Sequence, residues 1–171
     1  ESEVGRFEKA ITPDIDRSEE LLPTVKKLLQ GHRDDKILMY CTGGIRCEKA
    51  SSYLIKNGFK DVNQLKGGII QYGHDIKNSK NKSKFIGKNF VFDSRMGERI
   101  TDDIISKCHQ CNLPSDNHTN CANQACHLLF IQCRKCKGIY ENCCSNKCVQ
   151  FIRLPITEQK RIVKEGQLKF N

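Results

Sequence analysis

Apolar residues in the first part of the chain follow a helical period and then a strand period. In the segment 17–30 they recur every three or four residues up to Gly31, which predicts a loop and then a helix. The apolar run at 36–40 is short enough for a buried strand, and the segment 47–57 again has helical spacing.

This alternation is repeated once more along the chain. The segment 59–65 predicts a second strand, and two glycines then lead into a helical segment around 69–72. Short units of strand, helix, strand and helix predict an α/β domain with a parallel sheet over residues 1–76.

The pattern changes after the second predicted helix. Residues 77–88 contain five lysines, no acidic residue and little apolar content, which predicts a solvated linker. The segment 89–93 alternates like a strand, and a turn follows that directs the chain back as a hairpin. We therefore predict a hairpin and a cysteine-rich module over 89–156, and a C-terminal helix and tail over 157–171.

Charge is divided unevenly between the two parts of the chain. Residues 1–76 carry 12 Lys/Arg and 12 Asp/Glu, whereas residues 77–171 carry 17 and 8, so the net charge of +9 lies in the second part. This asymmetry favours a polyanionic partner such as RNA, although a lysine-rich solvated surface gives the same count. No apolar run approaches 18 residues, and no membrane partner is expected.

Cys41 lies at the end of the first predicted strand, at the edge of a parallel sheet where ligands bind. Two glycines and Arg46 follow before the next helix. Backbone N–H groups in such a turn can converge on the sulfur, and the helix start and the guanidinium add positive charge, so the thiol pKa falls. We predict that Cys41 is a reactive thiolate, assisted by Arg46. The predicted anion cradle consists of Thr42, Gly43, Gly44 and Ile45.

The length of this loop bears on its chemistry. Cys41 and Arg46 enclose four residues, one fewer than in the comparable loop of cysteine phosphatases. The shorter ring fits one extra sulfur on the cysteine, a persulfide, better than it fits a phosphate. Cys47 places a second thiol beside the loop, either as an assisting or resolving thiol in catalysis or as an inert residue at the helix start.

Nine cysteines crowd into 41 residues near the C-terminus, as four pairs with metal-ligand spacing and one spare. Four pairs complete two tetrahedral sites, for which we predict two structural zinc ions; an iron–sulfur cluster is the main alternative. Of the adjacent Cys143 and Cys144 we favour Cys144 as the ligand because of its spacing to Cys148. The predicted ligands are Cys108, Cys111, Cys121, Cys126, Cys133, Cys136, Cys144 and Cys148.

Pairing in chain order would join the first four ligands on one metal and the last four on the other, although a cross-braced arrangement is also compatible with the spacing. The region has little apolar sequence, so metal must supply much of its folding energy, on the order of 10 kcal/mol per site. Metal thiolates and an activated cysteine both suit a reducing cytoplasm. Basic side chains beside the third pair, Arg134, Lys135 and Lys137, are candidate RNA contacts.

The string CTGGIRCEKAS, which starts at Cys41, resembles the rhodanese active-site loop of bacterial tRNA-uridine hydroxylases. The LKGGI turn, the stretch 90–95 and the cysteine array extend the resemblance over most of residues 4–152. It implies a rhodanese-like domain, tRNA as partner and oxygen-dependent 5-hydroxylation of the wobble uridine. Rhodanese domains normally begin with a further strand ahead of a stretch such as 4–11, so the resemblance implies an N-terminally incomplete domain.

Two other functions compete with tRNA hydroxylation. The loop alone supports a sulfurtransferase that carries a cysteine persulfide equally well, but a small sulfur donor requires neither a zinc module nor a basic half. The third hypothesis is a non-enzymatic, zinc-dependent RNA-binding module with a degenerate rhodanese domain. The presence of both Cys41 and Arg46 argues against that degeneracy. The residues do not identify the sulfur or oxygen donor.

Overall fold

The computed structural model describes residues 1–15, 17–79 and 81–166, which form two compact units, Glu1–Asp102 and Asp103–Asn171. Both units are small mixtures of helices and short strands. No helix among the described residues is long and apolar enough to cross a membrane.

In its described residues, the first unit contains five strands and three α-helices. A short 3₁₀ turn, Ser18–Glu20, precedes the first helix. The strands are β1 (Gly5–Phe7), β2 (Lys36–Met39), β3 (Asp61–Gln64), β4 (Phe85–Asn89) and β5 (Glu98–Arg99). The helices are α1 (Leu21–Leu28), α2 (Ile45–Lys56) and α3 (Gly68–Lys77).

The parallel pair β2–β3 supports the loop that contains Cys41. Ile37 is in register with Val62, and Ile37 packs in one buried cluster with Leu54 of α2 and Phe59. Helix α2 buries Leu54 and Ala50 on one face, at the spacing expected of an amphipathic helix. The predicted strand, helix, strand and helix order is confirmed here, and the parallel pairing holds for these two strands.

The remaining strands of the first unit form an antiparallel sheet of order β1-β4-β5. This corrects the predicted linker over 77–88, because its last four residues belong to β4. Phe85 is fully buried, and its ring meets that of Phe7 edge to face at 5.3 Å. The lysine content of the segment concealed a strand with a buried face. The predicted hairpin with β5 is present, but its first strand ends at Asn89 instead of beginning there.

The second unit is built around an antiparallel hairpin of β6 (His118–Asn120) and β7 (Leu129–Ile131). Three helices follow, α4 (Arg134–Ile139), α5 (Asn146–Ile152) and α6 (Ile156–Lys164). Phe130 of β7 and Val149 of α5 pack with buried cysteines as its core. The C-terminal helix was predicted to extend to Gln167 with a tail to residue 171, and residues 167–171 lie outside the described residues.

Candidate active site and metal centres

Cys41 lies two residues beyond β2 and is half-buried at the start of the loop that leads into α2. The backbone N–H of Gly44 donates a hydrogen bond to the Cys41 Sγ at 3.1 Å. Gly44 is the N-cap of α2 and has φ +98°, a left-handed conformation that glycine adopts without strain. The turn thus directs both an N–H group and the positive end of a helix at the sulfur.

Opposing effects act on the pKa of the Cys41 thiol. Burial raises it, but hydrogen bonds from the backbone and thiol of Cys47 and from the backbone N–H groups of Gly44 and Arg46 outweigh burial, so the pKa lies below its ordinary value. Gly44 was a predicted cradle residue, and the backbone of Cys47 was not included in that prediction. Thr42, Gly43 and Ile45 remain predicted members of the cradle.

Cys47 is buried in the first turn of α2. Burial raises the pKa of its thiol to about 12, and its hydrogen bond to Cys41 adds to this. The Cys47 thiol is therefore protonated near neutral pH and donates to the Cys41 sulfur. This geometry matches an assisting thiol better than a thiolate nucleophile.

The Arg46 side chain is held from two sides. Its Nη1 and Nη2 donate to the two carboxylate oxygens of Glu1 at 2.6 and 2.7 Å, and Nη2 also donates to the Thr42 hydroxyl at 3.2 Å. The hydrogen bonds to Glu1 are the largest cause of the raised Arg46 pKa, to which interaction with the Cys41 sulfur also contributes. Because Glu1 lies 45 positions away along the chain, no local pattern indicated this pair.

The segment after β4 reaches the same loop. Thr42 donates its hydroxyl to the carbonyl oxygen of Phe90 at 3.1 Å. Two residues later, the Phe92 ring lies 5.2 Å from the Arg46 guanidinium carbon, in a cation–π arrangement. These contacts add Phe90 and Phe92 to the site, although sequence analysis had assigned them only to a hairpin.

Backbone N–H groups at the start of α3 donate hydrogen bonds to the loop that contains Cys41. The N–H groups of Ile69 and Ile70 donate to the carbonyl oxygens of Cys41 and Thr42 at 3.0 and 3.1 Å. Gly68 has φ +65°, and a Cβ atom there would lie 2.6 Å from the Cys41 oxygen and 2.5 Å from the Thr42 oxygen. Only glycine allows this approach, so the LKGGI turn supports the reactive loop directly.

The eight predicted ligand cysteines form two clusters, in each of which all four sulfurs lie within 4.8 Å of one another. Sulfur pairs approach to 3.6 Å between Cys111 and Cys133 and to 3.7 Å between Cys126 and Cys144. The first cluster is Cys108, Cys111, Cys133 and Cys136, and the second is Cys121, Cys126, Cys144 and Cys148.

Of the two pairings that the spacing left open, the clusters match the cross-braced one, because the first pair of cysteines joins the third and the second joins the fourth. The clusters thus interleave along the chain. The β6–β7 hairpin explains this result. Because β6 and β7 are antiparallel, the C-terminal end of β6 and the C-terminal end of β7 lie at opposite ends of the hairpin. Cys121 follows the end of β6, whereas Cys133 follows the end of β7, where the N–H of His109 donates to the carbonyl oxygen of Ile131 at 3.0 Å. The first pair of cysteines thus meets the third at one end of the hairpin, and the second meets the fourth at the other end.

The donor set fits a tetrahedral thiolate-bound metal. Four sulfurs around a zinc ion with bonds of about 2.3 Å would lie about 3.8 Å apart, close to the separations of 3.6 Å for Cys111–Cys133 and 3.7 Å for Cys126–Cys144. Although burial opposes it, hydrogen bonds from the backbone N–H groups of Cys133, Gln110 and Cys111 lower the pKa of Cys108 to about 6. Burial and the neighbouring thiols of the same cluster raise the pKa of Cys136 to about 12, so a metal ion would bind in exchange for protons. Cys143 is fully buried outside both clusters, and burial raises its pKa to about 11.

Amide side chains connect the two clusters, with Gln132 buried and Gln110 half-buried. Gln110, inside the first pair of ligands, donates its Nε2 to the carbonyl oxygen of Cys143 at 2.9 Å. Gln132, next to Cys133, donates its Nε2 to the Gln110 side chain at 2.9 Å and to the same Cys143 carbonyl at 3.2 Å. Asn123 donates to the Cys148 sulfur at 3.4 Å. Sequence analysis missed these residues, because a lone amide carries no spacing signal.

The candidate RNA contacts Arg134, Lys135 and Lys137 are exposed on α4, beside the first cluster. Arg134 and Lys137 line a shallow cavity of ≈190 Å³ together with His118 and Thr119 of β6. The cavity is cationic and polar, as expected for a surface that receives phosphates.

Comparison with known proteins extends this description. Residues 6–75 match the family model of the rhodanese-like domain, and residues 86–149 match the model described as rhodanase C-terminal. The chain is 55% identical over 160 residues to the tRNA uridine(34) hydroxylase of Photorhabdus laumondii, which covers 94% of the chain and 46% of that protein.

Two further relatives are as similar. The tRNA uridine(34) hydroxylase of Yersinia enterocolitica is 55% identical over 171 residues, 99% of the chain and 49% of that protein. The protein of the same name from Pectobacterium carotovorum is 54% identical over 162 residues, 95% of the chain and 46% of that protein. The chain thus spans a little under half the length of the curated relatives it matches. It belongs to the family of rhodanese-domain proteins whose curated members are named tRNA uridine(34) hydroxylase.

Proposed function

We propose that the protein is a tRNA-modifying enzyme that catalyses the oxygen-dependent 5-hydroxylation of the wobble uridine, with Cys41 as its reactive thiol. The observation that carries this proposal is the Cys41 sulfur, which accepts the Gly44 N–H at 3.1 Å beside Arg46. The relatives that are 55% identical and named tRNA uridine(34) hydroxylase supply the substrate class.

Each loop residue has a stated task in this proposal. Cys41 supplies an ionised sulfur beside the bound base, and Arg46 supplies a fixed positive charge. The cradle of Thr42, Gly43, Gly44 and Ile45 stabilises negative charge on the sulfur, and Cys47 donates its thiol proton in a hydrogen bond to the same atom. Removal of any of these donors raises the pKa of Cys41 and reduces the fraction of thiolate at neutral pH.

The cysteine clusters would hold two structural zinc ions in the second unit. When bound, the metal supplies folding energy to a region with a small apolar core and keeps α4 in place. The exposed cations on that helix, Arg134, Lys135 and Lys137, would then contact tRNA phosphates. A cytoplasmic location fits both the substrate and cysteines that must stay reduced.

The test is to quantify 5-hydroxyuridine in tRNA from cells that express the full-length protein or its Cys41→Ala variant. We expect the modification to disappear with Cys41→Ala while the purified variant keeps the circular dichroism spectrum of the unmodified protein, which serves as the control for folding. Unchanged modification in that variant would exclude Cys41 as the catalyst.

Sulfur transfer through a Cys41 persulfide is the second candidate function, because the short loop and its N–H donors would also stabilise a persulfide anion. Thiosulfate and cyanide distinguish the two activities. A protein that transfers sulfur between them through Cys41, but whose expression leaves 5-hydroxyuridine absent, is a sulfurtransferase. Absence of both activities would favour the non-enzymatic RNA-binding module.

A further inference from the structure

We propose that Phe92, stacked on Arg46, forms the platform against which the target pyrimidine base of the RNA stacks beside Cys41. This inference rests on the proposed function, since it names how the substrate is held at the same site. The ligand class is an unstacked pyrimidine nucleotide in a single-stranded loop.

Phe92 is unusually exposed for an aromatic residue in an ordered contact. Its side chain is 71% accessible, while the Arg46 guanidinium carbon lies 5.2 Å from the ring centroid. A lone exposed apolar residue needs no explanation. A ring that is fixed against a cation at the edge of a reactive loop presents a flat, preorganised surface, and such surfaces bind unstacked nucleobases.

The ring is also anchored to the reactive loop through its own chain segment. The Thr42 hydroxyl donates to the Phe90 carbonyl oxygen at 3.1 Å, and the buried Phe90 ring meets Phe92 edge to face at 4.9 Å. These two contacts fix the position of the Phe92 ring relative to the loop that contains Cys41. A base stacked on it would therefore be held in a defined place and would not slide over a mobile side chain.

Arg46 connects the platform to the sulfur. Its guanidinium contacts the Phe92 ring and also interacts with the Cys41 sulfur. Ile45, which precedes Arg46 at the start of α2, is 81% exposed and adds apolar surface next to Arg46 in the chain. A planar, uncharged ring suits this mixture of aromatic and apolar surface next to a cation, whereas a small inorganic sulfur donor would use none of it.

The experiment is a double-mutant cycle on binding. The dissociation constant of the protein is measured for an anticodon stem–loop RNA with either uridine or an abasic ribose at position 34. For the uridine RNA, we expect Phe92→Ala to weaken binding about 5- to 160-fold, the range for loss of one base–aromatic stack. The unmodified protein should bind the abasic RNA about as weakly as Phe92→Ala binds the uridine RNA. For the abasic RNA, Phe92→Ala should then weaken binding little further.

Two variants control for effects on folding and on general polarity. Phe92→Tyr keeps the stacking surface and should restore binding, whereas Phe92→Leu keeps apolar character but should not. Ile11→Ala removes a side chain that is 75% exposed elsewhere in the same unit, and it should leave the cycle unchanged. The rate at which iodoacetamide alkylates Cys41 shows in each variant whether the loop has kept its structure.

The outcomes separate this proposal from the proposed function. The platform is overturned if Phe92→Ala binds the uridine RNA as tightly as the unmodified protein. It is also overturned if the losses of affinity from Phe92→Ala and from removal of the base multiply, because the two changes would then be independent. Either result would stand even if the tRNA is hydroxylated. If the two changes are coupled as expected but 5-hydroxyuridine never forms, the platform stands and the proposed reaction is wrong.

Discussion

The guanidinium of Arg46 and the carboxylate of Glu1 form a two-pronged ion pair, with N–O distances of 2.6 and 2.7 Å, beside the Cys41 sulfur. The two residues lie 45 positions apart, and both side chains are partly exposed. Glu1 orients Arg46, but its negative charge also offsets part of the positive charge that the sulfur would otherwise experience. The pair therefore limits how strongly Arg46 favours the thiolate.

Substitution of Glu1 tests this balance. In Glu1→Gln, the amide keeps a hydrogen-bond acceptor but removes the charge, so the pKa of Cys41 should fall further. Alkylation of Cys41 at neutral pH should become faster by no more than about fivefold, because exposed ion pairs are worth about 1 kcal/mol or less. Glu8→Gln, which removes a carboxylate paired with Lys84 in the same unit, is the matched control. Slower alkylation in Glu1→Gln than in Glu8→Gln would show that orientation of Arg46 matters more than charge.

Gly68 supports the loop through close backbone contact, so Gly68→Ala should damage it. A Cβ atom there would lie 2.5 Å from the Thr42 oxygen in a left-handed conformation, and the backbone must move. We expect a loss of stability of about 1–3 kcal/mol and slower alkylation of Cys41.

The control for Gly68→Ala is Gly138→Ala in α4, where no atom lies within 4 Å of the added Cβ. That change should leave stability unchanged or raise it by about 1 kcal/mol. Thermal unfolding of both variants provides the measurement. Equal stability of the two variants would contradict the close approach at Gly68.

Metal counts test the interleaved clusters. With zinc bound at both clusters, Cys111→Ser should reduce the zinc content from two ions per chain to one. The double variant that adds Cys133→Ser should lose no further zinc, because Cys111 and Cys133 belong to one cluster. Combining Cys111→Ser with Cys144→Ser should remove both ions. Cys143→Ala should retain two, since Cys143 lies outside both clusters. If the double variant Cys111→Ser, Cys133→Ser bound no metal, the two cysteines would belong to different sites, which would contradict the interleaved clusters and support pairing in chain order.

RNA binding by the exposed cations on α4 should depend on salt. Arg134→Ala should weaken tRNA binding and reduce the slope of log affinity against log salt by about 1, because one phosphate contact is lost. Lys160→Ala, an exposed lysine on α6, serves as the comparison. Equal slopes in the two variants would remove Arg134 from the RNA contacts.

Local features of this molecule could be predicted from sequence, and long-range contacts could not. β2, the loop at Cys41 and α2 follow one another, and their apolar periods and glycines are visible within the 21 residues from Lys36 to Lys56. The cysteine spacing likewise identified the eight cysteines that meet in two clusters.

The features that the sequence left undecided share a physical cause. The Glu1–Arg46 pair, the contact of Gly68 with the loop and the choice between the two cysteine pairings each depend on which distant segments meet. The lysine-rich sequence of 77–88 predicted a linker that overlaps β4, because the single lysine of β4, Lys88, lies between residues that face the core and the strand is buried only when it pairs with β1.

The central claim is that Cys41 is held as a thiolate by its loop, and its pH titration tests this most directly. The fraction of Cys41 alkylated by iodoacetamide in a short pulse should rise through a midpoint below 9, the value for an ordinary cysteine, whereas Cys47, with a pKa of about 12, should stay unreacted there. Because ionised Cys41 is favoured by the fold, its contribution to stability is present at high pH and is lost as the pH falls through this midpoint. A midpoint at or above 9 in the folded protein, or alkylation of Cys47 before Cys41, would contradict the account.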